Sequence, residues 1–261
     1  MKVKIGCCGF PVGKNRYYER FPVVELQKTF YQPPQLTTVK KWREEAPVDF
    51  EFTLKAWQLI THPPSSPTYR RLKISIPEDK KDNYGFFRST NEVFGAWEKI
   101  DQICQLLRVK IVVFQCPSSF TPTSEHKENL RKFFRSVEKR NYTLVWEPRG
   151  AWTDEDITNL CQEIDLVHCV DPFKNRPLYG KMRYFRLHGR AGYRYRYTNE
   201  DLESLKKMYS SDFSFYFMFN NVYMLEDAQR FQAMMSLFTA EIAEMNQKEK
   251  LHELTGKKET A

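Results

Sequence analysis

The chain has 261 residues, 41% of them hydrophobic and 15% aromatic, which is enough apolar material for one large domain and excludes a disordered protein. Forty-one Lys and Arg against 33 Asp and Glu give a net charge of +8, a balance suited to an anionic small molecule or a nucleic acid as partner. Six cysteines without paired CxxC spacing argue against structural zinc and a disulfide framework, and the absence of a long apolar segment argues against a membrane partner, so a cytoplasmic location with reduced thiols is expected.

Taken in chain order, eight segments read as strands: Lys2–Cys8, Val23–Gln27, Phe50–Leu54, Lys110–Phe114, Thr143–Trp146, Leu166–Cys169, Arg183–Leu187 and Ser214–Phe219. Helical patterns separate most of them. Val93, Trp97, Ile100, Cys104 and Leu107 recur at three-and-four spacing over Asn91–Leu107, and Leu130, Phe133, Phe134 and Val137 do so over Glu125–Lys139. Thr153 ahead of Asp154, Glu155 and Asp156, and Thr198 ahead of Asp201, are helix-start signals. A last helix over about Leu225–Met245 closes the series, and the charged residues 246–261 read as a frayed tail. Two places fit badly: Pro172–Gly180 offers little helix, and His62–Ser89 is a long Pro- and charge-rich insertion after the third strand, an active-site lid or a surface excursion.

Eight strand–helix units in about 250 residues predict a single-domain (β/α)8 TIM barrel over residues 1–245. A doubly wound sheet would want a phosphate loop after the first strand, and Gly6, Gly9 and Gly13 match no such motif. In a barrel the site lies at the carboxyl ends of the strands. There the side-chain alternation turns Glu25, Gln27, Lys55, Gln115, Glu147, Asp171, Arg186 and His188 inward, with Tyr31, His62, Arg149, Asn220 and Asn221 just beyond.

These residue types suggest roles. Glu25 and Glu147 are candidates for acid–base work, with Lys55 or His188 as proton partner. Arg149 and Arg186 suit a phosphate or carboxylate, and Tyr31, His62, Gln115, Asp171, Asn220 and Asn221 complete the binding set. The sequence requires no cofactor; a single divalent metal held by Glu147, Asp171 and His188 or His62 is an alternative. Two acids and two bases could instead form a compensated ion-pair network, an inefficient way to fill a barrel mouth. Tyrosines alternate with arginines from Arg183 to Tyr197, a combination that single-stranded nucleic acid exploits.

Several stretches resemble the YecE-like family of TIM-barrel proteins, the domain of unknown function numbered seventy-two. They are Ile5–Phe10, Tyr17–Phe21, Val24-Glu25 with Thr29-Phe30-Tyr31, Phe52–Lys55 with Thr61-His62, Phe114–Pro117, Glu147–Arg149 with Trp152, Phe185–Gly189 and Phe219–Asn221. The resemblance implies a barrel and a shared site made of these residues, and it supplies no reaction. Cys8 departs from the small hydroxyl residue the family often has there. The leading reading is thus a TIM-barrel enzyme, a hydrolase or phosphodiesterase-like one, acting by acid–base chemistry on a phosphate-bearing substrate, with a nucleotide or nucleic acid preferred. The alternatives are a non-catalytic nucleic-acid or protein binding module and a carbohydrate-directed hydrolase with two carboxylates flanking a sugar.

Overall fold

A computed structural model describes residues 3–137 and 142–256, with side chains described up to Glu241. Eight parallel strands close into a barrel in sequence order: β1 (Val3–Cys8), β2 (Val23–Leu26), β3 (Glu51–Lys55), β4 (Ile111–Gln115), β5 (Thr143–Glu147), β6 (Val167–Val170), β7 (Met182–Leu187) and β8 (Ser214–Phe219). The ring closes where β1 pairs with β8, Val3 beside Phe215 through Cys7 beside Phe219. Every expected strand is present, displaced by no more than two residues at an end.

The helices that cover the barrel are α1 (Lys14–Tyr18), α2 (Lys28–Tyr31), α3 (Leu36–Glu45), α4 (Gln58–Thr61), α5 (Asn91–Leu107), α6 (Ser124–Ser136), α7 (Asp154–Ile164), α8 (Asn199–Lys207) and α9 (Met224–Gly256). Four of them start where a threonine hydroxyl can satisfy an orphan backbone N–H. Thr90, Thr123 and Thr153 accept from the N–H of Val93, His126 and Asp156, and Thr198 with Asp201 forms a reciprocal capping box. α6 ends at Ser136, since Val137 is extended, short of the expected Lys139; residues 138 and 139 lie outside the described residues. α9 runs on past residue 245; Glu, Gln, Lys and Leu are good helix formers, so the loss of apolar periodicity there does not end the helix.

No helix intervenes between Val170 and Met182, as the two prolines there suggest. The chain turns instead on Asp171, whose Oδ1 accepts from the N–H of Phe173. The insertion between β3 and β4 is ordered by two 3-10 turns, Pro67–Arg71 and Glu78–Asn83. Its end is pinned to its beginning: Gly85, Phe86 and Phe87 donate to the carbonyls of Leu59, Thr61 and Ile60. All three residues hold positive φ, and a Cβ at Gly85 would lie 2.2 Å from the His62 carbonyl oxygen, so only glycine fits there.

Two apolar layers follow from the strand alternation. Outward residues such as Phe52, Leu54, Val112, Phe114, Trp146 and Phe217 pack under the helices, while Val23, Ile111, Val113, Val145, Val167, Met182 and Met218 fill the barrel interior. Polar groups lie above and below this inner belt. At the amino-terminal end Glu51 is paired with Lys4 and accepts from Tyr216 Oη at 2.7 Å. At the carboxyl-terminal end lies the far larger charged assembly described next. Among the described residues no helix is long and apolar enough to cross a membrane.

Candidate functional site

Arg186, at the inward position before the end of β7, is fully buried in the barrel mouth. A guanidinium has five N–H donors, and here all five are committed. Nε donates to Glu25 Oε1 at 3.1 Å, Nη1 to Gln115 Oε1 at 3.0 Å and to Glu147 Oε2 at 2.5 Å, and Nη2 approaches Glu25 Oε1 at 2.9 Å and Gln27 Oε1 at 3.4 Å. Glu25 is closed off from below, where Tyr184 Oη donates to its Oε2 at 2.9 Å; its Oε1 also accepts from the Gln27 amide and from Cys8 Sγ. Thr53 lies 2.8 Å from the Tyr184 hydroxyl and completes the floor.

Glu147 takes a second cation. Arg149, two residues on, donates from Nε at 2.9 Å and Nη2 at 2.5 Å to Glu147 Oε1. Burial alone would raise the Glu147 carboxyl, but the guanidiniums of Arg186 and Arg149 prevail and hold it down at about 2. Arg149 Nη2 also sits 3.0 Å from His188 Nε2, and Asp171 Oδ2 accepts from the His188 backbone N–H at 3.2 Å with the ring Nδ1 at 3.7 Å. Two arginines and two glutamates thus form a compensated cluster, and His188 is held at its edge.

Across the mouth the chemistry differs. Lys55, the last residue of β3, is buried, yet among the described residues its Nζ makes no hydrogen bond or ion pair. It rests 3.6 Å from the centroid of the Phe30 ring. Burial, then the positive charge of Arg186, lower its pKa from 10.5 to about 7 against the pull of Glu147 and Glu25. Next to Phe30, Tyr31 carries a second cation: the guanidinium of Arg71, from the insertion, lies 3.6 Å from its ring centroid and, among the described residues, has no carboxylate within ion-pair distance. His62 stands edge-on to Phe30 with Nδ1 2.8 Å from Thr61 Oγ1, and burial next to Lys55 lowers it to about 3, so the ring is neutral.

These groups surround one cavity of about 520 Å3, lined by Cys8, Gln27, Phe30, Tyr31, Lys55, His62, Thr68, Arg71, Gln115, Arg149, Arg186, His188, Tyr193 and Asn220. It is the size of a small-molecule site and has no carboxylate in its lining. The structure therefore brings together Tyr31, Lys55, His62, Gln115, Arg149, Arg186, His188 and Asn220 of the expected set. Glu25 lies beneath the cavity, covered by Arg186. Glu147 and Asp171 open instead on a smaller neighbouring hollow of about 70 Å3, shared with Arg149 and His188.

Asn221 is elsewhere. Its Nδ2 donates to Tyr195 O at 2.8 Å and Asp227 Oδ2 at 2.7 Å, tying the loop before α8 to α9. Sequence alternation cannot place it, because the strand ends at Phe219 and the period-two rule with it. Thr68 of the insertion joins the lining without any signal in the sequence, and Phe30 is visible there only as part of a matching family stretch.

Other expectations change as well. Glu25 and Glu147 hold one guanidinium between them, which leaves no space for a sugar and removes the two-carboxylate hydrolase reading. Among the described residues no group of three or more His, Cys, Asp and Glu side chains is placed to hold a metal ion; Glu147, the centre of the expected set, is already occupied by two arginines. Of the interleaved tyrosines, Tyr184 is in the barrel floor and Tyr197 is buried with its hydroxyl on Gly189 N–H. Tyr195 and Arg190 are both engaged by Asp201. Only Tyr193, 57% exposed, reaches the cavity rim.

The family model described as "Protein of unknown function DUF72" matches residues 15–253. The chain belongs to this family. A curated relative, the UPF0759 protein YunF of Bacillus subtilis, is 24% identical over 225 residues, covering 73% of this chain and 72% of YunF. Solved DUF72 structures from Thermotoga maritima and Enterococcus faecalis superpose with a TM-score of 0.68 each, at 22% and 19% identity; both cover 90% of this chain, and 100% and 98% of their own. A xylose isomerase domain containing protein from Salmonella typhimurium shares the barrel at a TM-score of 0.56 and 13% identity, covering 90% of this chain and 96% of its own. At such identities the likeness is one of fold.

Proposed function

We propose that the protein is a TIM-barrel enzyme that holds an anionic, phosphate-bearing substrate, a nucleotide or one nucleotide unit of a nucleic acid, and acts on it by acid–base chemistry. The observation that carries this reading is the pair of cations left without counter-ions, Lys55 and Arg71, in a cavity whose lining has no carboxylate. Lys55 is buried and Arg71, although exposed, lines the same cavity, so an anion placed between them is attracted by both and compensates the buried ammonium.

Within this reading the expected acid–base pair shifts. Glu25 and Glu147 serve as fixed counter-ions of Arg186 and Arg149, because their oxygens are consumed by those guanidiniums. Lys55, which gains and loses its proton near neutral pH, and His188, which faces the cavity from the other side, are the groups able to move protons. Tyr193 at the rim offers a ring for a base.

Two measurements test it. Calorimetric titration with inorganic phosphate and with a nucleoside monophosphate should show binding that Arg71→Ala weakens at least about tenfold, or roughly 1.4 kcal/mol; unchanged affinity overturns the assignment. Phosphomonoesters and phosphodiesters should then be turned over by the unsubstituted protein. Salt-sensitive binding with no product would instead support the binding-module alternative.

A further inference from the structure

We infer that Lys55 is a carbonyl-capturing nucleophile, whose Nζ forms an imine with an anionic aldehyde or ketone seated in the same cavity. The inference rests on the anion-binding reading above and narrows its substrate to phosphates or carboxylates that also carry a carbonyl group.

The geometry sets Lys55 apart from the other cations of the mouth. Arg186 and Arg149 are claimed by carboxylates, and an arginine has no lone pair to offer in any case. Lys55 Nζ makes no hydrogen bond or ion pair among the described residues, although it lines the cavity. Its backbone and its ammonium end are both held by α2. Thr29 Oγ1 donates to the Lys55 carbonyl at 2.7 Å, which joins the end of β3 to α2, and α2 in turn supplies the Phe30 ring beneath Nζ. A lysine buried for stability alone would be expected to have a partner, because an unpaired buried charge costs several kcal/mol.

Burial, with the positive charge of Arg186, brings the pKa to about 7 and leaves about half of the amine unprotonated at neutral pH, as a nucleophile requires. Cys8, the thiol in the lining, is in the opposite state: burial and the Glu25 carboxylate push it well up, so no thiolate forms.

The step balances without a redox partner. The Nζ lone pair attacks the carbonyl carbon as the carbonyl π pair moves to oxygen, and a proton passes from nitrogen to that oxygen to give a neutral carbinolamine. Loss of the hydroxyl with a second proton, as water, forms the C=N bond. Both amine protons therefore leave in the water molecule. Arg71 and the uncommitted Nη1 of Arg149 hold the anionic end, and Phe30 supports any positive charge on the imine nitrogen.

The test uses pyridoxal 5′-phosphate, an aldehyde that bears a phosphate, with borohydride to supply the hydride that turns an imine into a stable secondary amine. At pH 7 the label should appear on Lys55, located by peptide mass spectrometry, at least about tenfold faster than on surface lysines. Inorganic phosphate should slow it, and pyridoxal without phosphate should label at least about tenfold more weakly. Lys55→Arg should lose the label while retaining more of the phosphate affinity than Lys55→Met does, which separates the amine from the charge. Label spread over surface lysines with Lys55 untouched, while phosphate still binds, overturns the inference and leaves the anion site standing. Absence of both phosphate binding and Lys55 label overturns both.

Discussion

The two sides of the barrel mouth hold cations in opposite ways. On the side of β5 and β7, Arg186 and Arg149 are matched by Glu25 and Glu147, every donor of Arg186 is used, and the cluster is close to neutral. On the side of β3 and the insertion, Lys55 and Arg71 lie against Phe30 and Tyr31 with no carboxylate partner among the described residues. The first arrangement is self-sufficient and gives the mouth its shape. The second leaves buried Lys55 without a carboxylate partner and adds exposed Arg71 beside it, the arrangement on which the proposed anion site rests. Charge count alone would have treated the four cations alike; the distinction lies in where the two carboxylates are spent.

The comparison can be broken most forcefully on the paired side. Glu25→Gln keeps the volume and removes the charge that compensates Arg186, so it should lower the unfolding free energy by about 3–5 kcal/mol, read from urea denaturation. A near-neutral effect would mean that Arg186 does not depend on its counter-ion.

The unpaired side should respond in the other direction. The unfolded chain protonates Lys55 below about 10.5 and the folded one only below about 7, so between these values the unfolded state binds more protons and stability rises with pH. Below pH 7 the whole penalty is present. Lys55→Met should therefore stabilise the protein by on the order of 2–4 kcal/mol at pH 6, with the gain fading toward pH 10. A constant difference across that range, measured by thermal or urea unfolding, would show that the side chain is not buried as a titrating amine. A variant that is more stable yet no longer binds phosphate would sharpen the comparison, since it would display a stability cost retained for binding.

A smaller effect belongs to the floor of the paired cluster. Tyr184→Phe removes the hydroxyl that joins Thr53 to Glu25 and should cost about 1–3 kcal/mol while leaving phosphate affinity unchanged, because Tyr184 does not line the cavity. Loss of affinity together with stability would mean that the two sides are coupled more tightly than their contacts suggest.

Much of this was legible before the fold was seen. Alternation in Phe50–Lys55 and Arg183–His188 set Lys55 and Arg186 on the inward face, and the threonine caps set the starts of the helices, because both signals are local and survive any tertiary context. Asn221 lies beyond the reach of alternation because it follows the strand's last residue, and the tyrosines after Gly189 resemble a stacking surface in sequence because a loop carries no burial signal. Thr68 and Arg71 reached the site through an insertion whose path depends on Phe87 entering the core and on Gly85 closing against α4.

Residue order by itself determined the barrel, its eight strands and the inward set at their carboxyl ends, since parallel strands of period two joined by amphipathic helices have few other ways to bury their apolar faces. It did not determine which charges meet. Glu25 and Arg186 are 161 positions apart, and whether a carboxylate at the mouth reaches Arg186 or Lys55 is settled by differences of a few ångströms in the closed ring. Coulombic and hydrogen-bond energies change steeply over such distances while the apolar pattern that specifies the fold does not register them, so only the assembled barrel decided that the arginines are answered and Lys55 is left open.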